Sequence, residues 1–124
     1  MTFIQTPNAS APGGHYSQAV LHNGLVYLSG ILPITPDGRK LADATISEQT
    51  KQVLANLDAI LQAAGSQRSN VVKVTVFVSD IHAWGTVNQL YTEFFGDHRP
   101  ARSIVPVGPL HYGLSLELEA IATV

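Results

Sequence analysis

The chain contains no cysteine, which removes disulfides, thiolate metal ligands and a cysteine nucleophile at once. Charge is also scarce: Asp, Glu, Lys and Arg make up 13% of the 124 residues, against roughly 25% in ordinary soluble domains. So few charged groups leave too little to coat a monomer, and this predicts that part of the surface is hidden in an oligomer. Seven Lys and Arg residues are scattered and the net charge is −2. No basic stripe that would neutralise phosphates follows from this, and nucleic-acid binding is not expected. No run approaches the roughly 20 apolar residues of a membrane span. The stretch from Met1 to Pro12 lacks a basic region followed by an apolar run, so it does not read as a signal peptide. A soluble, cytoplasmic protein of one domain, residues 1–124, is expected.

What is present is punctuated clearly. Two β-rich runs, Ser17 to His22 and Leu25 to Gly30, flank Asn23-Gly24, the pair that best supports a two-residue type I′ hairpin. Thr45 and Glu48 have capping-box spacing, and Val53, Leu54, Leu57, Ile60, Leu61 and Ala64 recur at helical intervals up to Gly65. The spacing predicts a helix over Ile46 to Ala64. Val71 to Ser79 alternates with Val72, Val74, Val76 and Val78 on one face, a half-buried strand whose valines take the helices. Asp80 is the expected N-cap of a second helix reaching Phe95, with Trp84, Val87, Leu90, Tyr91, Phe94 and Phe95 in one stripe. Strands over Arg102 to Val107 and Leu114 to Thr123 complete the order β-β-α-β-α-β-β, an α+β sandwich with two helices on one face of a mixed sheet. The opposite face carries Tyr27, Phe77 and Ile121 among Lys73, Thr75, Glu117 and Glu119, a mixture that self-association in a closed ring would cover.

Arg102 stands out because it opens an apolar strand instead of lying in a polar loop. The last strand carries Glu117 and Glu119, and the two segments are expected to be neighbours in the sheet. A guanidinium matches a carboxylate in two parallel hydrogen bonds. Two readings stand: Arg102 holds an anionic ligand beside an acid/base glutamate, or an Arg–Glu pair ties two strands together. The five histidines, His15, His22, His82, His98 and His111, lack metal-ligand spacing. No Gly-x-Ser-x-Gly elbow is present.

Taken in order, Gly14-His15-Tyr16-Ser17-Gln18-Ala19-Val20, Leu28-Ser29-Gly30, Gln49 with Asn56, Val87-Asn88 with Tyr91, Phe94 and Phe95, Pro100-Ala101-Arg102, and Glu117 through Ala122 resemble the Rid (YjgF-like) reactive-intermediate deaminases over nearly the whole chain. The resemblance implies a chorismate-mutase-like fold, a homotrimer with active sites in the clefts between subunits, and hydrolysis of small carboxylate-bearing enamines and imines to 2-keto acids and ammonia, with no metal and no organic cofactor. It implies Arg102 as the anchor of the substrate carboxylate, Glu117 as the group that orders or activates water, and Tyr16 as a residue reaching the ligand. Ser29, Gly30, Asn88 and Ile104 match further pocket positions, and His111 is a candidate pocket group titrating near neutral pH. The chain departs from the best-known branch at His15, where that branch has proline, at Ile31, where it has glutamine, at Ile104, where it often has cysteine, and at Leu110-His111-Tyr112-Gly113, which replaces Leu-Pro. These changes leave room for a 2-aminomuconate-type deaminase or for a non-catalytic metabolite-binding trimer of the same fold. The endoribonuclease activity attached by name to some members finds neither a basic groove nor paired histidines.

Overall fold

Alternation of apolar residues builds one mixed sheet, and its pairing order decides which side chains can meet. The computed structural model describes residues 1–124. Its elements are β1 (Thr2–Ile4), β2 (Ala19–His22), β3 (Leu25–Ile31), α1 (Ile46–Ala63), β4 (Val71–Val78), α2 (Trp84–Phe95), β5 (Ala101–Pro106) and β6 (Leu116–Thr123). The six strands lie in the order β1-β2-β3-β6-β4-β5. All neighbours are antiparallel except β4 and β5, which are parallel because α2 carries the chain back between them.

The helices pack on the face that carries Val74, Val76 and Val78 of β4 and Leu116, Leu118, Ala120 and Ala122 of β6, all buried. Facing them are Val53, Leu57, Ile60 and Leu61 of α1 and Val87, Tyr91 and Phe95 of α2. Burying each such aliphatic side chain contributes roughly 1.5–3 kcal/mol, so this layer fixes where the helices sit. The ends of α1 are as the sequence predicts. The Thr45 side chain accepts the Glu48 N–H at 3.1 Å, and Gly65 takes the left-handed conformation (φ 77°) that closes the helix, with Ser66 N–H donating to Leu61 O at 2.8 Å.

The hairpin at Asn23-Gly24 also forms, with φ 52° and 77°, as a type I′ turn demands. Nothing lies within 4 Å of where a Gly24 Cβ would point, so strain alone opposes a side chain there. Gly24→Val is expected to destabilise the fold by roughly 1–3 kcal/mol, read as a lowered melting temperature; an unchanged value would refute the strain.

Four features differ from the expectations. β1 pairs with β2, Phe3 opposite Val20, and adds an edge strand too short to show a period. In β4, pairing with β6 slips between Val71 and Lys73; this bulge reverses the parity, so Val71 is buried and Val72, expected on the core face, is exposed. His98 Nε2 donates to the Val71 carbonyl at 2.7 Å, satisfying the backbone at the bulge. Asp80 caps a 3₁₀ turn over Ile81–Ala83 by accepting the His82 N–H at 2.9 Å, and α2 begins only at Trp84. Finally, β5 and β6 are not neighbours: β4 lies between them.

Candidate active site

Arg102 is opposite Val74 and Glu117 is opposite Phe77, on either side of β4. Their residues point to different faces, Arg102 toward the helices with Val74 and Glu117 toward the opposite surface with Phe77. The expected Arg–Glu juxtaposition is therefore absent within one chain. The parallel crossover puts β5 on the far side of β4, a pairing that periodicity does not encode.

The Glu117 side of the sheet opens into a cleft of about 590 Å³. Four of the expected residues join Glu117 in lining it: Tyr16, Ser29, Gly30 and His111. The wall begins at an irregularity in β3, where pairing with β6 shifts between Leu28 and Ile31. Ser29 and Gly30 thus lie inside a strand, not in a strand-ending turn. The Ser29 hydroxyl donates to Ser17 O at 2.6 Å and its N–H to Gln18 O at 3.0 Å, so Ser29 clamps the glycine-rich loop onto the sheet. The buried Gln18 holds that loop from beneath: its Oε1 accepts Thr6 N–H at 2.7 Å and its Nε2 donates to Thr6 O and Ser10 O at 3.1 and 2.9 Å. The Tyr16 hydroxyl accepts the Gly13 N–H at 3.1 Å, which folds the loop over the cleft.

Gly30 is dictated by the carboxylate. A Cβ at this position would lie 2.5 Å from Glu117 Oε2 and 2.9 Å from its Cδ, so any side chain would push the carboxylate away. The opposite walls are tied to α1. Asn56 Nδ2 donates to Ile34 O at 2.9 Å, and Gln49 Oε1 accepts Ser115 N–H at 2.9 Å, just before β6. Both amides are buried, and leaving either partner unmet would cost about 1–3 kcal/mol. Burial raises the Glu117 pKa above the ordinary glutamate range, and the charge of Glu119 adds to this while His111 opposes it.

The remaining expected residues form a second group between the edge strand β5 and α2. Arg102 Nη1 donates to Asn88 Oδ1 at 3.0 Å, and its guanidinium stacks over Trp84 and Tyr91 at 4.6 and 4.7 Å from the ring centroids. Asn88 is thus a partner of Arg102 and not merely a solvated helix residue. Ile104 is half-buried beside Val76. None of Arg102, Asn88 and Ile104 lines the Glu117 cleft. The Tyr91 hydroxyl is buried without a partner, and burial pushes its pKa up to about 12 against the opposing Arg102 charge.

Residues 6–124 match the family model described as endoribonuclease L-PSP. The chain belongs to this family. It is 44% identical to the 2-iminobutanoate/2-iminopropanoate deaminase of Rattus norvegicus over 119 residues, 96% of this chain and 87% of that one. Among solved structures, RidA from an Antarctic Psychrobacter superposes with a TM-score of 0.95 at 35% identity, covering 100% of both chains. TdcF of E. coli with bound serine superposes at 0.94 and 35% identity, covering 100% of this chain and 99% of that one. The Rid resemblance read from the motifs is thereby established, and so is the α+β architecture.

Within this L-PSP family framework the departures separate by position. Ile31 is buried and lines the cleft, as does His111, whereas His15 is exposed and lies outside the lining. Among the lining residues not expected at the site are Lys40, in a turn-rich loop, and Tyr112, in the segment that replaces Leu-Pro. Their signal was faint, an aromatic among turn residues and a lone lysine without a patterned partner.

Proposed function

We propose that the protein hydrolyses small carboxylate-bearing enamines and imines to 2-keto acids and ammonia. The observation that carries this is Glu117, a half-buried carboxylate with a raised pKa, set in a cleft wall that Gly30 leaves open for it. The relative named as a 2-iminobutanoate/2-iminopropanoate deaminase and the serine-bound TdcF support an amino-acid-sized carboxylate as ligand.

The enamine tautomerises to the imine, and water adds to the C=N carbon as Glu117 takes its proton. Returning that proton to nitrogen gives the carbinolamine, which collapses as Glu117 takes the hydroxyl proton and passes it to the amine: the C=O bond forms, the C–N bond breaks, and ammonia leaves. A base with a pKa brought toward the working pH is better matched to this transfer than an ordinary glutamate. Arg102 supplies the carboxylate fork, which fixes the reacting carbon relative to the water. Tyr16 closes the cleft above the ligand.

Arg102 and Glu117 lie apart in one chain, so this reading requires assembly: in a chorismate-mutase-like homotrimer the Arg102 group of one copy completes the Glu117 cleft of the next. The outer sheet face supports it, with Phe3 71% and Tyr27 44% exposed, as does the orphaned Tyr91 hydroxyl beside Arg102. The solution mass is expected to be three times the 13.3 kDa of one chain; a monomer by light scattering would sink the composite site. The histidine lining the cleft is His111 alone, so the paired histidines that phosphodiester cleavage would use are not there.

The deciding experiment generates 2-aminoacrylate with a dehydratase and follows keto-acid and ammonia release with and without this protein. Acceleration supports the reading. Binding of a keto acid without acceleration would favour a metabolite-binding trimer instead.

A further inference from the structure

Before a neighbouring copy covers it, the Glu117 cleft measures about 590 Å³, within the range of pockets that take drug-sized ligands. Its mouth carries one lysine or arginine, Lys40. No carboxylate lies within ion-pair distance of it, the one ion pair of the chain being Arg68 with Asp58. Its backbone is fixed by the bridge between Ile34 and Lys40, by Thr35 N–H to Arg39 O at 2.9 Å, and by the Asn56 amide on Ile34 O. The ammonium sits 4.6 Å from the centroid of the Tyr112 ring. Asp37, on the same wall, is engaged elsewhere: its carboxylate accepts the Thr35 hydroxyl and feels the Arg39 charge.

Tyr112 itself is held in a left-handed conformation, φ 61° and ψ 17°, which a bulky side chain adopts only at a cost. A glycine would satisfy that backbone better. The ring is therefore kept against local preference, between Lys40 and the loop at Gly13, where a Cβ would lie 3.6 Å from the Tyr112 hydroxyl.

We propose that the Lys40 ammonium, seated on the Tyr112 ring, binds a second carboxylate of the substrate, so that the cleft prefers imines of dicarboxylic amino acids to imines of alanine size. This rests on the deaminase reading. The α-carboxylate goes to Arg102, the C=N carbon to the water at Glu117, and the distal carboxylate to Lys40. A single ammonium balances the one charge of a carboxylate, whereas a phosphate monoester, with a charge of about −1.5 to −2, would be left partly unneutralised where Lys40 is the only lysine or arginine of the lining.

The test generates the two imines in place with amino-acid oxidases acting on glutamate and on alanine, and measures kcat/KM for each by competition with semicarbazide. The wild-type ratio of dicarboxylate to monocarboxylate efficiency is expected to be about tenfold, the scale of one hydrogen bond to a charged group. Lys40→Met should bring that ratio close to one, and Lys40→Arg should keep it. Tyr112→Gly should lower the ratio without lowering the melting temperature, a result that a purely structural tyrosine would not produce. A wild-type ratio near one, or a ratio unmoved by Lys40→Met while the alanine imine is hydrolysed, overturns the inference and leaves the deaminase reading standing. Acceleration of neither imine overturns both.

Discussion

Glu117→Gln is expected to lower kcat for imine hydrolysis by about 10²–10⁴-fold, the usual contribution of a positioned general base, while the fold is retained. The amide keeps the shape and removes only the proton acceptor. Because the effect lies in the chemical step, carboxylate binding should change little, and a keto-acid product should bind the variant nearly as well as the wild type. Stability should shift in the opposite direction to activity. A carboxyl whose pKa is raised on folding contributes stability that is complete below the unfolded pKa, near 4.3 for glutamate, and lost as pH rises through the folded value. At neutral pH the charged Glu117 is therefore a mild liability, and the glutamine variant should melt at the same temperature or slightly higher. The wild-type rate profile should fall on its acid side at a pH above the ordinary glutamate range. Turnover in Glu117→Gln equal to wild type would remove Glu117 from the chemistry whatever its geometry.

Much of the scaffold was legible because local rules act alone there. Asn23-Gly24 demands positive φ at both residues, Thr45 caps α1, and Gly65 ends it, each independent of the rest of the chain. The alternation of β4 was legible except at Val72, since a one-residue bulge reverses parity without leaving a compositional mark. Strand adjacency was not legible. A parallel pair through α2 and an antiparallel pair with β6 compete for the same β4, and only the packed sheet shows that β4 separates Arg102 from Glu117. The site divides in the same way. Tyr16, Ser29 and Gly30 lie around Glu117 because the β3 irregularity and the Gln18 staple bring their segments together, and His111 joins them from the loop that Gln49 ties down just before β6. Lys40 and Tyr112 reach the same cleft from loops with no periodic signal at all.

Arg102→Lys is expected to reduce deaminase efficiency by about tenfold or more while the melting temperature stays close to wild type. Lysine keeps the positive charge, so simple electrostatic attraction of an anion survives. What it loses is the planar fork that donates two parallel hydrogen bonds to a carboxylate and the flat face that rests on Trp84 and Tyr91. The Asn88 carbonyl, which now orients Nη1 at 3.0 Å, would face a flexible ammonium that does not hold one direction. Had Arg102 been buried against Glu117, removing it would have left an unpaired buried charge and cost about 3–5 kcal/mol. The guanidinium is instead exposed on the edge strand and bound to a neutral amide, so only about 0.5–1 kcal/mol for each of its two cation–π contacts is at stake in the isolated chain. The effect should therefore appear in KM and in binding of a keto acid, and should be lost for a substrate analogue that lacks the carboxylate. A large fall in melting temperature with unchanged kcat/KM per folded protein would make Arg102 scaffolding and would place the carboxylate anchor elsewhere in the cleft.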